Sequence, residues 1–382
     1  MARSISHHAT RLKGPSMSMD APAARPFALD ALEVPLIAAP MAGGPSSPEL
    51  AVAVARAGGL GMLAAGYQSA EALAEQIAAV RSGLRDVERL FGVNVFVAES
   101  SPTDTQQLAD FRSRWVQAVA ALDAEMGEQA AARPLPDYSD DGWDQKIALL
   151  VEDPVPVVSF TFGLPPAATI RALQDAGTTV LLSVSSSEEA VEAAAFGPDA
   201  LVLQGPDAGG HRFTLAQDTA PGTTPLPELL EQTLAALASS HPQLPVIAAG
   251  GISFRADAAR LLETGAHAVQ VGTLFLAAEE AGTGAVHREA VLAAAGDPSS
   301  AQTVVTRAFS GRPARALSTP FTEAMAEHEI AGYPQVNSLT SPIRKAAAAA
   351  GKRELVHLWA GTGFPACRAR PAAEIVESFR GL

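Results

Sequence analysis

The sequence predicts a (β/α)8 barrel of the TIM type, with a smaller, mainly helical C-terminal lobe over the barrel mouth. Eight short apolar runs alternate with helix-like segments along the chain, which is typical of parallel α/β folds. The 382 residues fit one barrel of about 250 residues plus an appendage. The alternative is an open doubly wound sheet, but no Gly-x-Gly-x-x-Gly motif follows the first strand, which disfavours that fold.

The predicted strands are short and rich in apolar or β-branched residues. Parallel strands that are buried on both faces carry such continuous apolar runs. The eight predicted strands are residues 34–39, 60–65, 91–97, 156–161, 179–184, 200–204, 245–249 and 268–272.

Helices are expected between these strands, and two of them have clear start signals. Pro48 lies near the start of a helix predicted over 47–57, and Ser69 is an N-cap candidate for a helix predicted over 69–80. Two further helices are predicted over residues 187–196 and 255–264.

The chain divides into three predicted parts. Residues 1–24 carry no strong pattern and are expected to be a disordered leader, with Met17 or Met19 as an alternative start. The barrel is predicted over 25–280, and the C-terminal lobe over 281–382.

Two stretches depart from the strand–helix repeat. Residues 99–150 form a long insertion between strands three and four, with a helical stretch at 104–132 and a polar turn at 137–141. In the C-terminal part, residues 343–350 form a helix-like, alanine-rich run.

Composition excludes several classes of protein. Hydrophobic residues make up 48% of the chain and charged residues 18%, which is enough for a substantial core. The net charge of −14 disfavours nucleic-acid binding, because no cationic surplus exists to neutralise phosphates. No apolar run reaches the roughly 18 residues that a membrane helix needs. We therefore expect neither a nucleic-acid partner nor a membrane span.

The single cysteine, Cys367, excludes an intrachain disulfide and a cysteine-cluster metal site. No other cluster of His, Cys or Asp in the sequence indicates a metal. A reducing cytoplasm is the expected compartment.

Glycines follow the last two predicted strands. Gly250 and Gly251 follow strand seven, and Gly272 with Thr273 follows strand eight. Glycine lets backbone N–H groups approach an anion closely, and a helix N-terminus beyond the glycines would add a favourable dipole. Barrels often hold a ligand phosphate at these two loops. The pattern predicts a phosphate site, and its alternative is a pair of tight turns.

A glycine-rich loop with a histidine follows strand six. Gln204 ends the strand, and His211 and Arg212 follow the glycines Gly209 and Gly210. An imidazole with its ordinary pKa of about 6.5 suits proton transfer at neutral pH. The ordinary alternative is an exposed surface histidine, as we expect for His7, His8, His241 and His287, which have no supporting context.

Two further strand ends carry candidate ligand contacts. Ala39, Pro40 and Met41 end the first strand, where an apolar surface could lie against a planar ring. Asn94 interrupts the apolar third strand, and a buried amide must find hydrogen-bond partners. Those partners are either the edge of a ligand ring or other groups of the protein.

Taken together, these segments resemble the FMN-dependent nitronate monooxygenases, formerly called 2-nitropropane dioxygenases. The C-terminal residues 359–363 (WAGTG) also resemble a W-A-G-x-G segment of the bacterial class I members. The matching blocks are APMAGG (39–44), FGVNVF (91–96), VVSFTFG (157–163), QGPDAGGHR (204–212), AAGGI (248–252) and QVGTLF (270–275).

The resemblance implies FMN as the cofactor and His211 as the catalytic residue. One departure is Phe213, where many relatives continue with glycine, and it concerns the substrate side of the loop. The expected cofactor-binding residues are Ala39, Pro40, Met41, Asn94, Gln204, Gly209, Gly210, Gly250, Gly251, Gln270, Val271, Gly272 and Thr273.

The implied activity is oxidation of a nitronate, such as that of propionate or of a simple nitroalkane, by molecular oxygen. A carbonyl compound and nitrite or another nitrogen oxide would be formed, and a homodimer is an open expectation. The alternatives are a flavin-dependent enoyl-acyl-carrier-protein reductase, a non-catalytic flavin-binding barrel, and a flavin-free barrel that binds a sugar phosphate.

Overall fold

The structure, a computed structural model, describes residues 27–99 and 102–382. The predicted leader at 1–24 lies outside the described residues. Strands in this part of the chain are Leu36–Ala38 (β1), Gly61–Ala64 (β2), Phe91–Phe96 (β3), Val157–Thr161 (β4), Thr179–Val184 (β5), Ala200–Gln204 (β6), Gly210–His211 (β7), Val246–Ala249 (β8), Ala268–Val271 (β9), Thr303–Thr306 (β10) and Ala314–Leu317 (β11).

Eight of these strands form a parallel barrel, which confirms the predicted fold. Their order around the sheet is β1-β9-β8-β6-β5-β4-β3-β2. A parallel bridge between Ile37 of β1 and Leu60, the residue before β2, joins the two ends of the sheet. All eight predicted strands are present, and their ends differ from the prediction by at most two residues.

Helices connect the strands and cover the barrel. Their bounds are Pro48–Arg56 (α1), Ala70–Leu84 (α2), Thr105–Leu122 (α3), Ala124–Ala131 (α4), Trp143–Glu152 (α5), Ala167–Asp175 (α6), Ser187–Ala194 (α7), Leu226–Leu237 (α8), Arg255–Thr264 (α9), Ala285–Gly296 (α10), Pro320–Met325 (α11), Gln335–Ala349 (α12) and Ala372–Glu377 (α13).

Local chemistry explains several helix boundaries. Ser69 caps α2 as predicted, because its hydroxyl accepts a hydrogen bond from the N–H of Ala72. The stretch predicted as one helix at 104–132 is two helices, since Asp123 has an extended backbone and its carboxylate caps α4. The alanine-rich helix begins at Gln335 rather than 343 and contains Pro342 within it.

The barrel interior changes from apolar to polar along its axis. One buried apolar cluster includes Met62, Val157, Val202 and Ile247. Because side chains of a strand alternate between its two faces, the buried polar residues two or four positions later point to the same side. Those at the carboxyl ends are Asn94, Ser159, Thr161, Ser183, Gln204 and Gln270. The carboxyl-terminal layer of the barrel is therefore polar.

The residues after β9 contribute a hairpin as well as helices. β10 and β11 pair antiparallel, and β11 also pairs with β7 in the loop after β6. This three-stranded sheet was not predicted, because β7 has only two residues. The division of the chain at residue 280 stays a prediction. Among the described residues, no helix is both long and apolar enough to cross a membrane.

Candidate active site

A cavity of about 1170 Å³ opens at the carboxyl-terminal ends of the barrel strands. Every residue that the sequence analysis selected lies in its wall, from Ala39 on the first strand to Thr273 after the last barrel strand. The lining residues among those candidates are Ala39, Pro40, Met41, Asn94, Gln204, Gly209, Gly210, His211, Gly250, Gly251, Gln270, Val271, Gly272 and Thr273. The structure thus brings all fourteen together.

The turn after β8 requires its two glycines. Gly250 and Gly251 have φ angles of +103° and +73°, which side chains with a Cβ rarely adopt. A Cβ on Gly250 would lie 2.9 Å from the Cβ of Ala208, and one on Gly251 would lie 2.8 Å from the Cβ of Asp207. The chain can therefore make this turn beside the histidine loop only without side chains.

Backbone N–H groups of the glycine turns are available to a ligand. Within the described part of the chain, no acceptor is hydrogen-bonded to the N–H of Gly250, Gly251 or Gly272. The hydroxyl oxygen of Thr273 accepts a hydrogen bond from the N–H of Gly361, so its own proton is free to point elsewhere. These donors form a potential anion site on the cavity wall.

The helix that follows Gly251 carries an acidic residue in its first turn. The carboxylate of Asp257 accepts hydrogen bonds from the N–H groups of Ser253 and Phe254, at 3.2 and 3.0 Å. These two residues precede α9, and the carboxylate places a negative charge near the start of the helix, which opposes binding of an anion there. The expected contribution of the helix N-terminus stays a prediction, and the glycine amides are the free donors on the cavity wall.

The side chain of Gln204 holds the histidine loop. Its Nε2 donates to the carbonyl oxygen of His211 at 3.0 Å, and its Oε1 accepts from the N–H of Phe213 at 3.0 Å. Both ends of the amide are thus engaged with the backbone on either side of Arg212. Phe213 lines the cavity and packs against the apolar cluster inside the barrel.

Asn94 is hydrogen-bonded within the barrel. Its Nδ2 donates to both oxygens of Ser159 and to the hydroxyl of Thr161, at 2.9 to 3.2 Å. No described group donates to its Oδ1. The Nδ2 group of Asn94 is therefore hydrogen-bonded to other groups of the protein, as one of the two expectations had it. Its Oδ1 remains free as an acceptor in the cavity wall.

His211 lies at the centre of an aromatic cluster. Its Nε2 is 2.9 Å from the hydroxyl oxygen of Ser310. The rings of Phe162, Tyr333 and Trp359 lie 5.2, 6.4 and 5.4 Å from the imidazole, measured between ring centroids. The backbone of His211 is fixed as well, because β7 pairs with β11 through Ala314.

The pKa of His211 differs from the prediction. Withdrawal from water, together with the positive charges of Arg312 and Arg344, lowers it to about 3. The ordinary value near 6.5 that we expected is therefore wrong, because it neglects burial and two nearby cations. At neutral pH the imidazole is uncharged, so it can accept a proton but does not act as a standing cation.

Arg312 is the more firmly held of these two cations. Its side chain is completely buried, and its guanidinium pairs with Glu99 at 2.8 Å. The same group donates to the carbonyl oxygen of Thr214 at 2.8 Å and lies 4.4 Å from the ring centre of Phe162. Arg312 thus links the insertion, the histidine loop and the hairpin.

Arg344 is poorly satisfied by comparison. It is 7% exposed, lines the cavity, and donates through one terminal nitrogen to Asn337. Its Nε is buried without a hydrogen-bond partner among the described residues, and no carboxylate there pairs with it. Burial lowers its pKa to about 10, so it remains charged at neutral pH. Sequence reasoning missed this residue.

The C-terminal segment contributes contacts that the sequence did not reveal. A Cβ on Gly209 would lie 2.4 Å from the backbone nitrogen of Gly361, so these two glycines pack main chain against main chain. Nε2 of His287 is 2.9 Å from the carbonyl oxygen of Trp359. His287 was expected at the surface, but it is buried in the cavity wall, and that expectation is wrong.

Within residues 27–99 and 102–382, no group of three His, Cys, Asp or Glu side chains is placed to hold a metal ion. The buried thiol of Cys367 instead donates to the carbonyl oxygen of Thr273 at 3.2 Å. Among the groups that the cavity offers are free backbone amides, the neutral imidazole of His211 and the guanidinium of Arg344.

Comparisons with known proteins identify the family. A family model described as nitronate monooxygenase matches residues 25–380. A probable nitronate monooxygenase of Staphylococcus aureus is 34% identical over 356 residues, which cover 91% of this chain and 93% of the relative.

Two solved structures are similar to this chain over most of its length. Nitroalkane oxidase from Streptomyces ansochromogenes is 39% identical with a TM-score of 0.80, and the match covers 92% of this chain and 96% of that one. FabK from Thermotoga maritima is 28% identical with a TM-score of 0.67, over 92% of this chain and 93% of the other. The chain belongs to the nitronate monooxygenase family, which consists of flavin-dependent oxidoreductases.

Proposed function

We propose that the protein binds FMN and oxidises alkyl nitronates with molecular oxygen, forming a carbonyl compound and nitrite or another nitrogen oxide. One observation carries this proposal: a single cavity holds free backbone amides at one part of its wall and His211 at another. The family membership of the chain supports the same chemistry.

The glycine turns fit the phosphate of FMN. Main-chain N–H groups bind phosphate well where no side chain keeps it away, and the turn at Gly250 and Gly251 meets that condition. The N–H of Gly272 and the hydroxyl of Thr273 add donors on the neighbouring strand end. We assign these four residues to the phosphate group.

The remaining candidates fit a flat, partly polar ring system. Ala39, Pro40 and Met41 offer an apolar surface, and Oδ1 of Asn94 offers an acceptor for a ring N–H. When bound, FMN supplies the electron-accepting chemistry that no side chain of the cavity can provide. The protein contributes orientation, hydrogen bonds and electrostatics.

His211 is the group that accepts a proton from the substrate. Ser310 can donate its hydroxyl proton to the carbonyl oxygen of Arg312, which lies 3.3 Å away. In that arrangement Nε2 of His211 carries its proton and donates to Ser310, which leaves Nδ1 as the basic nitrogen. Nδ1 then removes a carbon-bound proton from a neutral nitroalkane. With a preformed nitronate no proton is removed, and the imidazole serves as a hydrogen-bonding partner.

The low pKa of His211 makes a nitronate the better substrate. Removing a proton from a nitroalkane turns the imidazole into a cation, which burial and two arginines disfavour. A nitronate avoids this step and brings a negative charge that Arg344, on the cavity wall, attracts. We therefore expect higher kcat/KM for nitronates than for the matching neutral nitroalkanes.

Arg344 favours a nitronate with a second anionic group. A buried guanidinium without a carboxylate partner is costly unless a ligand completes its bonds. Propionate 3-nitronate carries a carboxylate at the end away from the nitro group, whereas a simple alkyl nitronate does not. Of the two substrate classes that the family resemblance implies, the structure favours the carboxylate-bearing one.

Two measurements on the purified protein test the proposal. The absorbance spectrum and the released cofactor should show one FMN per chain, and oxygen uptake should follow addition of propionate 3-nitronate. Oxidation of NAD(P)H with an enoyl thioester, without oxygen uptake on any nitronate, would instead identify a reductase. Yellow protein without turnover would identify a flavin-binding barrel, and colourless protein that gains no flavin would favour a sugar-phosphate ligand.

Location and assembly are separate proposals. Cys367 is a buried free thiol, which fits a reducing compartment, so we propose a cytoplasmic location. The expected homodimer stays a prediction, and light scattering of the purified protein measures it directly.

A further inference from the structure

The insertion between β3 and β4 reaches back to the loop after β2. Ser139, Asp141 and Gly142 of the insertion line the same cavity as Tyr67 in that loop. The polar turn at 137–141 is therefore part of the cavity wall, although it belongs to none of the barrel strands.

Tyr67 has a backbone conformation that bulky residues seldom adopt. Its φ angle is +68°, in the left-handed region that side chains with a Cβ disfavour. The N–H of Tyr67 donates to Oδ1 of Asp141 at 3.0 Å. This hydrogen bond joins the unfavourable conformation directly to the insertion.

Asp141 is itself fixed by a buried lysine. Nζ of Lys146 lies 2.7 Å from Oδ2 of Asp141, and the lysine side chain is 1% exposed. The two carboxylate oxygens thus have different partners, Oδ1 the backbone of Tyr67 and Oδ2 the ammonium group. Asp141 also has a left-handed backbone, with a φ of +61°, so the turn presents its carboxylate from a defined direction.

Tyr67 lines the same cavity as the poorly satisfied Arg344. Its ring packs edge-on against Phe96, with the centroids 5.4 Å apart. Burial raises the pKa of its phenol to about 12, and the positive charge of Arg344 acts against that shift. A phenol hydroxyl and a guanidinium together can donate several hydrogen bonds to one carboxylate.

We propose that Asp141 is a positioning residue that holds Tyr67 in its left-handed conformation and so keeps its phenol near Arg344, where both take an anionic group of the substrate. The role of Arg344 as the anion partner rests on the proposed function. The insertion contributes to this arrangement through the hydrogen bond from the N–H of Tyr67 to Asp141. Without it, the backbone of Tyr67 relaxes toward an ordinary φ and moves the phenol away from the arginine.

Two double variants isolate that hydrogen bond. D141N/K146M removes both charges but keeps an oxygen that accepts from the N–H of Tyr67. D141G/K146M removes the same charges and the acceptor as well. Asparagine and glycine both tolerate a left-handed φ, so the two proteins are matched at residue 141. The readouts are kcat and KM for propionate 3-nitronate, the Kd for malonate by calorimetry, and the thermal midpoint.

We expect D141N/K146M to keep KM and the malonate Kd within about twofold of the original protein. D141G/K146M should raise both by about tenfold, which corresponds to about 1.4 kcal/mol of binding free energy, with little change in kcat. Y67F leaves the hydrogen-bonded backbone intact and removes only the phenol hydroxyl, so it should also weaken malonate binding.

Several outcomes would overturn the proposal. If KM and the malonate Kd were equal in the two double variants, the hydrogen bond would contribute only to stability and not to substrate binding. A lower thermal midpoint of D141G/K146M would not change that conclusion. If D141G/K146M did not fold, an unchanged malonate Kd in Y67F would overturn the assignment of Tyr67. Failure of the original protein to bind malonate would do the same.

The two proposals fail in different ways. Suppose that the original protein oxidises no nitronate, but that the malonate Kd still differs between the two double variants. The positioning role of Asp141 then stands, and the proposed reaction does not. If both double variants oxidise the nitronate with the same KM, the proposed reaction stands and the positioning role does not.

Discussion

The two parts of the cavity wall differ in the chemical groups that they present, which are backbone amides in one part and side chains in the other. The wall at Gly250, Gly251 and Gly272 offers main-chain N–H groups and depends on the absence of side chains. The wall around His211 and Arg344 depends on side chains whose charge and protonation are set by residues far away in the chain. A site made of backbone amides therefore needs only a local sequence pattern, whereas a site whose side chains handle a proton needs the assembled fold.

The strongest test of this contrast is His211→Asn, which should damage the reaction and spare the cofactor. General acid–base catalysis contributes about 10²–10⁴-fold to rate, so turnover of a neutral nitroalkane should fall by at least about 100-fold. Turnover of the preformed nitronate should fall much less, because no proton is removed. FMN content, read from the absorbance spectrum, should not change.

His241→Asn is the matched control, since its imidazole lies away from the cavity next to Ser240. Unchanged turnover of the neutral nitroalkane by His211→Asn would remove the histidine from proton transfer. It would also erase the contrast between the two walls.

Gly251→Val should have the opposite effect and weaken cofactor binding before it alters proton transfer. The Cβ of the introduced valine would lie 2.8 Å from the Cβ of Asp207, and a branched side chain disfavours the φ of +73° at this position. We expect the Kd for FMN, measured by flavin fluorescence quenching, to rise by about tenfold or more, or about 1.4 kcal/mol. Activity should return when excess FMN is supplied.

Gly177→Val controls for the strain alone, because Gly177 has a φ of +95° and open space around it. Full FMN occupancy in Gly251→Val, at the level of the control, would contradict the assignment of this turn to the phosphate.

The last expected effect is on the stability of the protein rather than on its activity, and it appears as a dependence on pH. Burial lowers the pKa of His287 to about 4, and the carbonyl oxygen of Trp359 acts against that shift. Between the ordinary pKa of about 6.5 and pH 4, the unfolded chain binds a proton here that the folded chain does not. Stability is therefore lost as pH falls through this window, by up to about 1.4 kcal/mol per pH unit for one histidine.

His287→Gln removes this contribution and can keep a donor for the carbonyl oxygen of Trp359. The thermal midpoint of the variant should fall less between pH 6.5 and 4.5 than that of the original protein. His241→Gln again serves as the control. A variant whose midpoint follows the original curve throughout would show that burial of His287 does not contribute to the acid sensitivity.

The sequence predicted the barrel because its signal is local and repeated. Each strand is a short apolar run, and each is followed by a helix with its own start signal, as at Ser69. The candidate residues were also predictable in place, since Asn94, Gln204 and Gln270 mark the carboxyl ends of strands that meet at one edge.

Their hydrogen-bond partners were not predictable. The amide of Gln204 bridges two backbone groups of a loop whose shape depends on β11, more than 100 residues later. Arg344 lies on α12, whose alanine-rich sequence indicates an ordinary helix, and only the burial of its unpartnered Nε singles it out. The pKa of His211 likewise follows from burial and from the charges of Arg312 and Arg344, which no local pattern connects to it.

The contact between Gly209 and Gly361 has a consequence for how the protein is made. Once the ribosome has translated β9, the chain holds every barrel strand and every glycine amide, yet the loop that carries the imidazole still lacks its main-chain partner. That partner arrives about 90 residues afterwards. At a synthesis rate of about 5–20 residues per second, a nascent barrel spends several seconds with this wall unfinished. On the proposed assignment of the glycine amides to the phosphate, a flavin captured during that interval would be held by one set of contacts only, and tight retention would be acquired late in biosynthesis.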